Sequence, residues 1–220
     1  MPRCFTWSSQ VQPAASNKPT YLALGDSYTV GEGVEQAQSF PFQLAAQLRA
    51  RGLDVDVPQV IAKTGWTTSE LLEAIAAADL GDSFSFVTLL IGVNNQYRGE
   101  SPEVYQQEFT ELLQIALHYA GGIAAHVFVI SIPDWGITPY GQESGRERPL
   151  ISLEINEFNR INKAVSEAAG LSYTDITPAS RLAGTDPSLV ATDGLHPSEK
   201  MYRAWAQRLA GTIAGAFQSA

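Results

Sequence analysis

Tyr21-Leu22-Ala23-Leu24-Gly25-Asp26-Ser27 is the stretch from which the fold of this chain can be read. Its apolar run is short and unbroken, the pattern of a strand covered on both faces, as parallel strands are. It stops at Gly-Asp-Ser, where glycine tolerates positive φ and Asp and Ser bond to nearby backbone, so the chain turns there. Runs of the same kind fall at about 54–61, 85–91, 126–132 and 171–175, with segments of helical period near 39–51, 67–79, 102–120, 150–169 and 198–217 between and after them. This β-α alternation predicts parallel strands joined by right-handed crossovers. The expected fold is a three-layer α/β/α sandwich, flavodoxin-like, with a five-stranded parallel sheet in the order 2-1-3-4-5.

The helical segments carry the stripes such a sandwich needs. Met201, Trp205, Leu209 and Ile213 recur every fourth residue, flanked by Tyr202 and Phe217, so one face of the last helix packs on the sheet. Near 102–120 the apolar face reads Val104, Phe109, Leu112, Leu113 and Ala116, with Glu103, Gln107, Glu111 and Gln114 outward. At 220 residues the chain is expected to form one domain over 20–220, preceded by a flexible tail over 1–19 that holds Pro2, Pro13 and Pro19. The first twenty residues lack the apolar core of a signal peptide, which makes a cytoplasmic location the expectation. No run approaches the ~20 apolar residues of a membrane span.

Composition narrows the chemistry. With 45% hydrophobic and 17% charged residues the chain has a globular composition, and a net charge of −9 argues against a nucleic-acid partner. Cys4 is the single cysteine, so there is no internal disulfide framework and no cysteine metal cluster. His118, His126 and His196 show no short metal-ligand spacing, and neither a metal nor another cofactor is expected.

Ser27 ends the first strand, and Asp193-Gly194-Leu195-His196-Pro197 precedes the last helix. A serine hydroxyl is a poor nucleophile until a base takes its proton, and the base works best when a third group fixes its tautomer. Ser27, His196 and Asp193 can fill those roles. Each piece also has a plainer reading: Gly-Asp-Ser is a common turn, and Asp193 to Pro197 can be a helix start with the proline early in the first turn. Two other strand ends add to the set. Phe86 to Ile91 leads into Gly92-Val93-Asn94-Asn95, where Asn94 is a candidate oxyanion donor. Val60-Ile61-Ala62 leads into Lys63-Thr64-Gly65-Trp66-Thr67-Thr68, where Gly65 lets the backbone approach a ligand and Thr67 or Thr68 opens the next helix.

Ser27, Gly65, Asn94 and His196, in Gly25-Asp26-Ser27, at the second strand end, in Gly92-Val93-Asn94 and in Asp193-Gly194-Leu195-His196, resemble the four blocks of the SGNH hydrolases, the GDSL-like esterase/lipase superfamily. The resemblance spans residues 20 to 200. It implies the same fold, Ser27 as nucleophile, His196 as general base and Asp193 as its orienting acid. It also implies an oxyanion hole of the Ser27 N–H, the Gly65 N–H and the Asn94 side chain. One position departs: the third block of that family usually ends Gly-x-Asn-Asp, and here the fourth residue is Asn95. The Gly-x-Ser-x-Gly elbow of α/β-hydrolases is absent.

The expected reaction is hydrolysis of a small carboxylic ester, acetyl or short-chain acyl, by a monomer or small homo-oligomer without integral membrane association. The alternatives are a lysophospholipase or thioesterase, an acyltransferase with the same triad and, from another class, a binding module without turnover. Two segments bear on substrate. Tyr28 to Glu35 contains Gly31 and Gly33 and runs beside the nucleophile. Asp134 to Arg148 is about fifteen residues without periodicity, long for a connection inside a compact domain. There Trp135, Ile137 and Tyr140 are expected to line an acyl or alcohol pocket, with Arg146 and Arg148 meeting an anionic group; a surface or oligomer contact is the other reading of this loop. Asp26 is a further expected substrate contact.

Overall fold

The computed structural model describes residues 18–218, so Cys4 and all but the last two residues of the expected tail lie outside the described residues. In chain order the elements are β1 (Tyr21–Gly25), α1 (Ser27–Val30), α2 (Phe40–Ala50), β2 (Gln59–Ala62), α3 (Thr68–Ala77), β3 (Phe86–Leu90), α4 (Val93–Arg98), α5 (Pro102–Tyr119), β4 (Val127–Ile130), α6 (Pro139–Glu143), α7 (Arg148–Ala168), β5 (Ser172–Thr174), α8 (Thr177–Ser180) and α9 (Glu199–Gln218). All five strands pair in parallel in the order β2-β1-β3-β4-β5, as the alternation predicts.

Burial explains the strand composition. β1, β3 and β4 are buried at every position, consistent with their unbroken apolar runs, while the edge strand β2 is only partly covered. The polar exception, Thr88 in β3, is satisfied by the Tyr21 hydroxyl at 2.8 Å. On one face of the sheet α2 packs on α9; on the other α3 packs on α5 and α5 on α7. Met201, Tyr202, Trp205, Leu209 and Ile213 of α9 are buried as their spacing predicts. Among the described residues no helix is long and apolar enough to cross a membrane.

Four expectations shift. The second strand starts at Gln59 instead of 54, because Pro58 has no N–H for a ladder and the chain before it runs extended, with Asp56 N–H bonded to the Pro19 carbonyl at 2.8 Å. Val104 is 45% exposed and Tyr105 takes its place on the buried face of α5. Pro197 lies ahead of α9, bridged to Val190, and Ser198 accepts the Tyr202 N–H instead. The segment from Asp134 to Arg148 holds a 3₁₀ turn (Trp135–Ile137) and α6; Asp134 caps the first through Gly136 N–H, and Thr138 caps the second with Pro139 at its first position.

Register positions the site. Gly25 at the end of β1 lies opposite Ala62 of β2 and Leu90 of β3, so three neighbouring strands stop on one level. The chain order reverses between β1 and its two neighbours there, the place where open α/β sheets bind ligands.

Candidate active site

Ser27 is the first residue of α1, with its backbone N–H outside the helical ladder. The helix forms because Asp26 caps it, its Oδ1 accepting the Tyr28 N–H at 3.0 Å. Asp26 is fully buried, its Oδ2 has no partner, and burial pushes its carboxyl up to about 7. It is therefore a cap and not the substrate contact expected from the sequence.

His196 and Asp193 form the tightest polar pair beside it. Asp193 Oδ2 meets His196 Nδ1 at 2.6 Å, while Oδ1 accepts the N–H groups of Leu195 and His196, each at 2.9 Å. Partial burial works to raise the Asp193 carboxyl, but these bonds outweigh it and hold the group below its ordinary value. An ionised carboxylate only accepts, so Nδ1 carries the proton and Nε2 is left as an acceptor. The Tyr28 ring lies 5.3 Å from the imidazole, and His196 is 7% and Ser27 4% exposed. The loop after α1 also closes on this pair: a Cβ on Gly33, at φ +80°, would sit 3.1 Å from Asp193 Oδ2 and 2.9 Å from Ala191 Cβ.

The blocks after β2 and β3 are tied to each other. Gly65 adopts φ +87°, and its carbonyl accepts the Arg98 guanidinium at 2.6 Å, with Arg98 also paired to Glu70 at 3.2 Å. Thr67 is the N-cap of α3, in a capping box with Glu70. Asn94 Nδ2 donates to the Trp66 carbonyl at 2.9 Å, which uses one of its two hydrogens and leaves the other for the cavity. Asn95 points the other way. It is fully buried, its Oδ1 accepts the Thr68 N–H at 3.1 Å, and its Nδ2 donates to Thr68 Oγ1 at 2.6 Å and Glu100 Oε2 at 2.7 Å. An aspartate there would set two carboxylates together, so the departure from Gly-x-Asn-Asp is matched by Glu100.

Ser27, Asn94 and His196 open into one half-open cavity of about 140 Å³. Its walls are largely aromatic: Tyr28, Tyr97, Trp135 and Tyr140. Trp135 and Tyr140 were expected from the sequence. Ile137 is not at the cavity; its side chain packs toward Gly184. The two arginines are also engaged elsewhere, Arg146 with Glu154 at 2.6 Å and Arg148 with the Gly136 carbonyl at 3.1 Å, so neither stands as a receptor for an anionic substrate group. Tyr97 was missed. Its signal is its place three residues past Asn94, one turn along the same face of a helix that starts at Val93.

Comparison with known proteins follows the same outline. A model of the GDSL-like lipase/acylhydrolase family matches residues 23–204. No curated protein sequence matches the chain. Among solved structures, the chain is similar to the psychrotrophic esterase EstA from Pseudoalteromonas sp., with 19% identity over 91% of this chain and 100% of that one and a TM-score of 0.67. It is similar to the lipase/acylhydrolase from Enterococcus faecalis, with 22% identity over 90% of this chain and 96% of that one and a TM-score of 0.67. It is also similar to Axe2, an acetylxylan esterase from Geobacillus stearothermophilus, with 17% identity over 89% of this chain and 94% of that one and a TM-score of 0.67. At such identities the structural likeness is one of fold, and the family match supplies the rest. Because that match runs without a break from β1 past His196 into α9, the chain belongs to the GDSL-like lipase/acylhydrolase family and is a carboxylic ester hydrolase.

Proposed function

We propose that the enzyme hydrolyses small carboxylic esters, acetyl or short-chain acyl, through an acyl-enzyme on Ser27. The observation that carries this is that His196, paired with Asp193 at 2.6 Å, opens with Ser27 into one cavity of about 140 Å³. His196 Nε2 takes the Ser27 proton as Oγ forms a bond to the ester carbonyl carbon. The carbonyl becomes an oxyanion facing the Ser27 N–H, the Gly65 N–H and the free hydrogen of Asn94 Nδ2. Collapse breaks the bond to the alcohol, which leaves with the proton from His196. Water then adds to the acyl-enzyme by the same route, releasing the carboxylic acid and restoring Ser27. A cavity of this size suits a small acyl group, since an apolar cavity of roughly 150 Å³ in another protein binds benzene. The acetylxylan esterase among the structural relatives is in keeping with acetyl esters.

Ser27 and His196 act as a unit in this scheme. Ser27→Ala or His196→Ala should each remove nearly all hydrolysis of nitrophenyl acetate, and the double variant should be little worse than either. A fluorophosphonate should label the parent and fail on Ser27→Ala. Substantial turnover by folded Ser27→Ala would overturn the scheme.

A further inference from the structure

Two tyrosines from different elements meet across the mouth of the cavity. Tyr97 stands one turn past Asn94 on α4 and Tyr140 is the second residue of α6, and their hydroxyls lie 2.9 Å apart. At 47% and 38% exposure they form the outer rim. Behind them Trp135 is 2% exposed, edge-on to Tyr97 at 5.3 Å and tilted against Tyr140 at 6.1 Å. Trp135 is locked in place. Its Nε1 donates to Gln96 Oε1 at 2.7 Å, and the Arg146 guanidinium lies over its ring at 5.8 Å while bound to Glu154.

The rim is held differently. A hydroxyl pair open to water contributes little net stability, so it can break and reform during turnover. The backbones behind it are fixed: Tyr140 N–H donates to the Gly194 carbonyl at 2.9 Å, inside the loop that carries Asp193 and His196. The bar therefore joins the helix that holds Asn94, through α6, to the loop that holds the Asp193–His196 pair.

The geometry points to Tyr97 and Tyr140 as a bar that sets acyl-chain length. With the pair joined, the half-open cup has room for an acyl group of about four to six carbons, near the size of benzene; longer chains must pass the hydroxyl pair. The cup is assigned to the acyl group, which stays bonded to Ser27 through both half-reactions, and the esters of varied alcohols test that assignment. This rests on the Ser27 acyl-enzyme reading above.

The test is a series of nitrophenyl esters from acetate to decanoate, beside acetate esters of varied alcohols, on the parent, Tyr97→Phe, Tyr97→Ala and Tyr140→Ala. Active sites are counted by fluorophosphonate titration so that misfolded protein does not enter the rates. The parent should lose about tenfold or more in kcat/KM beyond hexanoate, and both alanine variants should raise the decanoate-to-acetate ratio by about tenfold or more. Tyr97→Phe keeps the ring and deletes one hydroxyl, so it should shift the ratio in the same direction by a few-fold. A parent active on short esters whose chain-length profile is unchanged in every variant would overturn the bar while leaving the Ser27 reading intact. So would variants that reorder alcohols and not acyl chains. Absence of any ester hydrolysis by the parent removes the Ser27 reading and the bar with it.

Discussion

Asn94 and Asn95 are adjacent in sequence and opposite in role, and the contrast yields a crossed prediction. Asn94 spends one hydrogen on the Trp66 carbonyl and faces the cavity with the other. Asn94→Ala should lose on the order of 10²–10³ in kcat with KM little changed, because on the proposed mechanism its donor acts on charge present only in the transition state. Its stability should fall by only about 1 kcal/mol for the lost bond. Asn95→Ala strands buried partners on Thr68 and Glu100, so it should lose about 2–4 kcal/mol in denaturant unfolding while kcat stays within a few-fold. If Asn95→Ala proved the catalytically dead variant, the assignment of the third block would be wrong. The sequence made Ser27, Asn94 and His196 legible because each follows a recognisable strand or precedes a recognisable helix. Asp26 misled because a cap and a substrate contact look alike until burial is known. Tyr97 stayed hidden because the six residues of α4 are too few to show a helical period.

At the scale of elements, the loop after α1 closes on the Asp193–His196 pair. Gly33 holds φ +80°, and an added Cβ would meet Ala191 Cβ at 2.9 Å and Asp193 Oδ2 at 3.1 Å, so both would have to shift. Gly33→Ala should therefore strain the backbone by about 1–2 kcal/mol and push the carboxylate off the imidazole. The expected result is a drop in kcat larger than the change in KM, with Tm only modestly lower; unchanged kcat would show that the loop yields without moving Asp193. The long helices were readable from their stripes. The Asp134–Arg148 segment was not, although Thr138-Pro139 carries the local signal of a helix start, since two short turns never repeat a pattern. Ile137 fell outside the cavity for the same reason: within a 3₁₀ turn, neighbours two apart leave in different directions, and Trp135 took the inward one.

For the whole molecule, Asp26 links stability to pH. Burial raises its carboxyl from 3.8 to about 7, so between those values the folded chain holds a proton that the unfolded chain has released. Its contribution is fully present below about pH 4 and is lost as pH rises through 7, on the order of 4 kcal/mol for a shift of roughly three units. Asp26→Asn keeps an oxygen for the Tyr28 N–H and does not titrate. Thermal unfolding from pH 4 to 8 should show the parent falling relative to Asp26→Asn up to about pH 7; parallel curves below that pH would sink the idea. Asp193 has the opposite sign, its stabilising contribution fading only as pH drops below the ordinary carboxylate range. Strand order was legible at this scale because β-α alternation leaves few topologies. Register was not, since strands buried on both faces carry no alternation to mark it.

That register gives catalysis a coarse ruler. Gly25, Ala62 and Leu90 end on one level, and a strand can shift against its neighbour only in whole residues, steps of about 3.3 Å. An oxyanion donor displaced by even one such step is out of hydrogen-bond reach. Gly65, the proposed donor, lies three residues past the half-covered edge strand β2, so a slip of β2 would carry it away from the site. On the proposed mechanism, a chain with native-like helix content but a slipped edge would lose the Gly65 donor and turn every ester over on the order of 10²–10³ more slowly.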